Sequence, residues 1–303
     1  MSFSTSMNFL PSNNVSFKKA SMLSCLLKPV TCHNIDGAVP TVTWDGQAVG
    51  LNVGDGYGYF TIDCAIKNMI DAKTLTVKLG EATIYTGSIS VENYLKAIIN
   101  NPAYSNYHNI AIAMLRYGSA AQVCLGWPVS GMSDVDPRLA NYGISAAAIS
   151  TIYGLEIPSS GAPSSSTIAS AFNSNLQYST YYGMNMTYTY DTSFLIAFRI
   201  TDTPATAKAE LNNKFGEWLN GHSYQWTVAE DSTGNYIIVT IKNLSVGSLG
   251  SALFYIGNVR ISAIDYLARI TAPNSGKSAA VMNLCRALYA YYLVATDQPV
   301  PTT

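Results

Sequence analysis

Polar and apolar residues alternate through much of the first ninety positions, and the rhythm then changes. The runs VSFKKASMLSCLL at 15–27 and YGYFTIDCA at 57–65 read as β, being rich in β-branched, aromatic and small residues. Between them, TVTWDGQAV at 41–49 sets Asp45-Gly46 between two short runs, a hairpin signal. TLTVKLGEATIYTGSIS at 74–90 predicts a second hairpin around Gly80-Glu81. After Ser90 the period becomes helical. Val91, Tyr94, Leu95 and Ile98 share one helix face, and Ile110, Met114, Leu115 and Tyr117 line part of the next. Ser90 predicts the N-cap, with Asn93 where a full capping box would want Glu or Gln.

The later half follows the same order. QYSTYYGMNMTYTYD at 177–191 alternates around Tyr and Met, and FLIAFRIT at 194–201 reads as a strand. A short helix is predicted within 207–221, and a hairpin turns at Ser232-Thr233-Gly234. SALFYIGNVRIS at 251–262 then leads into a helix pair that repeats the first one. Ser90, Tyr94, Leu95 and Ile98 match Ser262, Tyr266, Leu267 and Ile270 at a constant offset of 172. Asn109, Ile110, Ala113, Tyr117 and Ala121 match Asn283, Leu284, Ala287, Tyr291 and Ala295 at an offset of 174. The change of two places a loop of different length between the helices. So long a period predicts a tandem domain duplication. The expected fold is α+β: two tandem homologous modules, each an antiparallel β-sandwich-like unit ending in a helix pair. Residues 1–130 form the first and 169–303 the second, with a partly packed linker over 131–168 whose PSSGAPSSS run reads as solvated loop.

Composition narrows the function. Charged residues are 12% of the 303, about half the usual share, and net charge is −1. Nucleic acid is therefore an unfavoured partner, since phosphate binding needs clustered Lys and Arg. Little repulsion keeps copies apart. Low charge with abundant Tyr and Ser suits a secreted, surface-displayed or assembled protein. No stretch reaches the about 18 apolar residues of a membrane span. The start, MSFSTSMNFLPSNN, has no basic n-region and no long apolar h-region, so no signal peptide is read there. Of the five cysteines, Cys124 and Cys285 read as small buried hydrophobes. Cys25, Cys32 and Cys64 leave one disulfide open without requiring it. Cys32-His33 lacks a second Cys/His cluster, so no zinc site is expected.

The helical segments also carry a likeness. SVENYLKAIINN, NIAIAMLRYGSAAQVCLG and DPRLANYG, with Asn283-Leu284-Cys285-Arg286-Ala287-Leu288-Tyr289 in the second copy, resemble modules of long secreted surface proteins of anaerobic Gram-positive gut bacteria. The match covers the helical ends. Pro137-Arg138-Leu139-Ala140-Asn141 departs from the family's D-N-L-A-N-like tail. The resemblance implies a surface location and a modular build, and no activity.

Candidate chemistry is sparse. Asp55, Asp63, Glu81, Glu92 and Asp231 could in principle serve a glycosidase pair, but none recurs in the other copy. His33, His108 and His222 stand in no recognisable catalytic setting. GDGYG at 54–58 reads as a tight turn. Asp134, Asp136 and Asn141 offer oxygens without EF-hand spacing. Tyr94, Tyr117, Tyr266 and Tyr291 read as structural, packed on apolar helix faces. Tyr178, Tyr181, Tyr182, Tyr188 and Tyr190 are the candidate interface or glycan contacts, because tyrosines on a strand can present one face to a partner. The expected function is a non-enzymatic extracellular structural or interaction protein, a subunit of a filament or layer whose main partner is itself. The alternatives are a carbohydrate-binding or adhesin module meeting a glycan or a host or cell-surface protein, and, third, a glycoside hydrolase or other hydrolase. No cofactor and no metal are expected.

Overall fold

A computed structural model of the chain describes residues 22–27, 40–54, 57–63, 69, 71–124, 162–187, 192–219, 221–242, 244–272 and 274–296. The fold is α+β with antiparallel sheets. Strands β1 (Met22–Leu27), β4 (Asn52–Gly54) and β5 (Tyr57–Asp63) form a three-stranded sheet in the order β1-β5-β4. Strands β2 (Thr41–Trp44), β3 (Gln47–Val49), β6 (Lys73–Leu79) and β7 (Ala82–Ile89) form a second sheet in the order β3-β2-β6-β7. The Asp45-Gly46 hairpin is present as expected. Its two turn residues take φ of 52° and 80°, and Lys73 Nζ reaches Asp45 Oδ2 at 2.9 Å. A left-handed pair of this kind matches the twist of the flanking strands, and Asp-Gly reaches it at little cost.

Helix α1 (Val91–Ile99) begins where the sequence places it, with the Ser90 hydroxyl accepting from Asn93 N at 3.0 Å. Val91, Leu95 and Ile98 are buried, and Tyr94 is half-buried. A 3-10 turn over Pro102–Tyr107 leads into α2 (His108–Cys124). The same order recurs later. Hairpin β12 (Leu253–Ile256) and β13 (Val259–Ser262) turns at Gly257, where φ is 57°. It feeds α5 (Ala263–Ile270), and α6 (Ala279–Ala295) follows. Here the capping box is complete. Asp265 N donates to Ser262 Oγ at 3.1 Å, and Ser262 N donates to Asp265 Oδ2 at 2.7 Å. The carboxylate at position 265, against Asn93 at the corresponding place in α1, therefore holds a helix start. Ser262→Ala is expected to cost about 1 kcal/mol, seen as a lower urea midpoint at unchanged slope.

The second half adds elements that the sequence understated. Strands β8 (Ser179–Thr187), β9 (Ser193–Ile200), β10 (Gln225–Asp231) and β11 (Gly234–Ile241) form a sheet in the order β10-β11-β9-β8. Phe194, Ile196, Phe198, Ile237, Val239 and Ile241 are buried, as alternation predicts for one face. What covers them is mainly helical, with Phe254 of the short β12–β13 hairpin on Phe194, where a sandwich would bring a full second sheet. Helix α4 (Pro204–Trp218) runs fifteen residues from a Thr203 cap, and its Phe215 and Trp218 rings pack on Phe198. Helix α3 (Ser165–Asn173) starts inside the expected linker and runs five residues past its end at 168. The serines that suggested a loop are its cap: Ser164 Oγ accepts from Thr167 N at 3.1 Å. Arg269 of α5 ties this start down, donating to the Pro163 carbonyl at 2.5 Å and to the Ser165 hydroxyl. Phe172 of α3 is fully buried among Tyr181, Phe198, Trp218 and Phe254.

The repeated helices meet. Helices α2 and α6 pack together, and Tyr117 lies 6.1 Å from Tyr291 between ring centroids. These two tyrosines are matching positions of the repeat. On each helix an alanine stands four residues before and four after, at 113 and 121 and at 287 and 295, so small side chains flank the ring. Tyr117 also shares a 3.3 Å hydrogen bond with Thr192. Burial pushes both phenols well above the usual tyrosine range. Cys285 is buried as expected, whereas Cys124, at the end of α2, is only half-buried.

Candidate interaction surface

Of the tyrosines singled out from the sequence, strand β8 carries Tyr181 and Tyr182, with Tyr178 immediately before it, and the backbone separates them. Tyr178 is half-buried at the strand's start, where its N–H donates to Glu210 Oε2 at 3.0 Å. Glu210 also accepts from Gln177 N, so one α4 carboxylate pins the entry to the strand. Tyr181 turns to the core, stacked on Phe172 at 5.2 Å and edge-on to Phe198. The register then slips between Tyr181 and Gly183, leaving Tyr182 as the extra residue of a β-bulge. Tyr182 faces outward and is 60% exposed. Tyr188 and Tyr190 lie outside the described residues. Plain alternation predicts opposite faces for 181 and 182; it does not reveal that one of them is the bulge.

Tyr182 has company. Its ring sits 4.7 Å from that of Tyr236, tilted by 55°. Tyr236 shares a hydrogen bond with Thr233, whose hydroxyl donates to Asp231 Oδ1 at 2.7 Å. Arg199, directly across from Tyr236 in the ladder, donates to the Thr233 carbonyl. The Tyr236 hydroxyl raises the Tyr182 phenol, and hydrogen bonds from Thr233 hold Asp231 below the usual carboxylate range. The result is one outward ring, Tyr182, lying over the buried Tyr236 beside one cation and one anion, near the tip of the β10–β11 hairpin.

Every exposed large apolar residue among those described lies on an edge strand. Ile84 is on β7, Tyr182 on β8, Val228 on β10 and Tyr255 on the two-stranded β12–β13 hairpin. Ile84, like Tyr182, is the extra residue of a bulge. Edges are where a sheet has unused N–H and C=O groups, so apolar side chains there mark contact surfaces.

The acidic groups with visible partners serve the backbone or close ion pairs. Glu210 holds a strand entry, Asp265 a helix start and Asp231 a turn, while Asp45 pairs with Lys73 and Glu92 with Lys96 at 3.2 Å. His222 Nε2–H donates to the Ser251 carbonyl at 2.7 Å, and His108 Nε2–H to the Asn101 carbonyl at 3.1 Å. Residues 33, 55, 134, 136 and 141, with the side chain of residue 63, lie outside the described set. Among the described residues no group of three His, Cys, Asp or Glu could hold a metal, and no helix is long and apolar enough to cross a membrane. No protein-family model matches the chain, and neither does any curated protein or solved structure.

Proposed function

We propose that the chain is a non-enzymatic structural or interaction protein of an extracellular or cell-surface setting, built as two copies of one α+β unit and acting as a subunit of a filament or layer. One observation carries this reading: the exposed apolar side chains sit on sheet edges, where they can meet another chain. The charge balance of −1 supports it, since little repulsion opposes contact between copies. Light scattering and negative-stain microscopy of the native protein should find ordered multimers. Monomers alone, at every concentration reached, sink the proposal.

A second reading rests on the exposed Tyr182 ring, backed by the buried Tyr236 and set beside Arg199 and Asp231. Sugar rings stack on exposed aromatic faces, and adjacent charges and hydroxyls fix their orientation. Under this reading Tyr182→Ala removes binding on a glycan array. Its stability falls by no more than about 1.5 kcal/mol, the worth of the lost ring contact with Tyr236. Binding that survives the substitution, or an array with no binder, removes this reading and leaves the first.

A further inference from the structure

The two four-stranded sheets have four edges between them, and three are protected. Strand β3 is only three residues long. Strand β7 bulges at Ile84. Strand β8 bulges at Tyr182, and Asn173 Oδ1 takes up its Tyr181 N–H at 2.6 Å while Glu210 takes those of Gln177 and Tyr178. Short strands, bulges and covering groups are the ordinary ways of closing an edge. Strand β10 has none of them. It runs seven residues in unbroken register against β11, pairs on that side only among the described residues, and contains no Lys, Arg or Pro, its charges being Glu230 and Asp231 at one end. Its middle residue is Val228, 44% exposed.

We propose that β10 pairs antiparallel with β10 of a second copy of this chain, joining two four-stranded sheets into one of eight across a two-fold axis at Val228. The inference rests on the assembly reading above and names one of its contacts. The strand is self-complementary in that register. Val228 falls opposite its counterpart, Thr227 opposite Ala229, Trp226 opposite Glu230 and Gln225 opposite Asp231. No like charges face each other, the Gln225 amide can donate to the Asp231 carboxylate, and two exposed valines become a buried pair. Backbone hydrogen bonds supply affinity, as in other cases of strand addition. A contact that is the same on both partners closes as a dimer.

Sedimentation velocity on the full chain tests this directly. The parent protein should dimerise between about 1 and 100 µM, the range of modest interfaces. Val228→Lys and Val228→Glu each place two like charges across the axis and should weaken self-association at least about 30-fold. Their equimolar mixture should restore the dimer. Both variants should remain folded, since position 228 is 44% exposed at the margin of the sheet in the monomer. A parent that stays monomeric overturns this proposal and the assembly reading together. Single variants that associate as well as the parent, or a mixture no tighter than either alone, overturn the β10 contact while assembly through another surface stands.

Discussion

Phe172→Ala is expected to destabilise the chain by about 3–5 kcal/mol, the largest loss anticipated from any single substitution considered. The ring is fully buried and joins four other elements. It stacks on Tyr181 of β8 at an interplanar angle of 14° and meets Phe198 of β9, Trp218 of α4 and Phe254 of β12 edge-on. Alanine removes the ring's apolar transfer energy and leaves a cavity among aromatic walls that cannot easily collapse. Against a typical total of about 5–15 kcal/mol, that is about a fifth or more of the whole. Differential scanning calorimetry should show the melting temperature falling by about 10 °C. Phe172→Leu, which fills most of the space, should cost under about 1.5 kcal/mol. A loss below about 1 kcal/mol for the alanine variant would mean that α3 is not packed on the sheet as described.

The second large effect is alkaline unfolding. Tyr117, Tyr266 and Tyr291 are buried, and burial raises each phenol well above its ordinary value. In the unfolded chain they titrate near pH 10. The sign follows from linkage. The folded state keeps its phenolic protons above pH 10 and the unfolded state does not, so the unfolded state gains free energy. Stability is fully present below pH 10 and falls as pH rises from there towards the folded values. Each tyrosine contributes about 1.4 kcal/mol per pH unit, about 4 kcal/mol per unit for the three. Phenolate absorbance should show a group of tyrosines that ionises only together with loss of far-ultraviolet dichroism. Tyr117→Phe should reduce the slope of stability against pH by about a third. A full set of phenolates forming before unfolding would contradict the burial of the helix joint.

The parts of the fold that were legible in the sequence are those fixed by local chemistry. The Asp45-Gly46 turn needs positive φ at both positions, and few other pairs tolerate it. The Ser90 cap and the apolar stripe of α1 lie within one short window. Helix α3 was not legible, because its serines suit a loop and a cap equally well. Arg269, about a hundred positions later, decides between them. Period-two alternation showed that one face of β8, β9 and β11 is apolar, but it carries no information about what lies on that face. The same limit applies to the surface. Tyrosine density pointed to β8, yet that Tyr182 is the extra residue of a bulge depends on pairing with β9. The open edge of β10 is invisible along the chain, since an edge exists only once the strand order is set.

The meeting of Tyr117 with Tyr291 has a consequence for how this chain can vary. A contact between like positions is what two separate, identical chains would make, but here the partners are covalently tethered. Formation of that contact does not depend on protein concentration. Substitutions near it also act on one side alone, where in a pair of identical chains each would arrive twice. Position 116 shows the difference. Arg116, 2% exposed, lies beside Tyr117, and its match beside Tyr291 is Ala290. Two identical chains would have to desolvate a pair of guanidinium groups around one joint, and burying each charge is expensive. The tethered chain buries one, and a small apolar side chain fills the matching place.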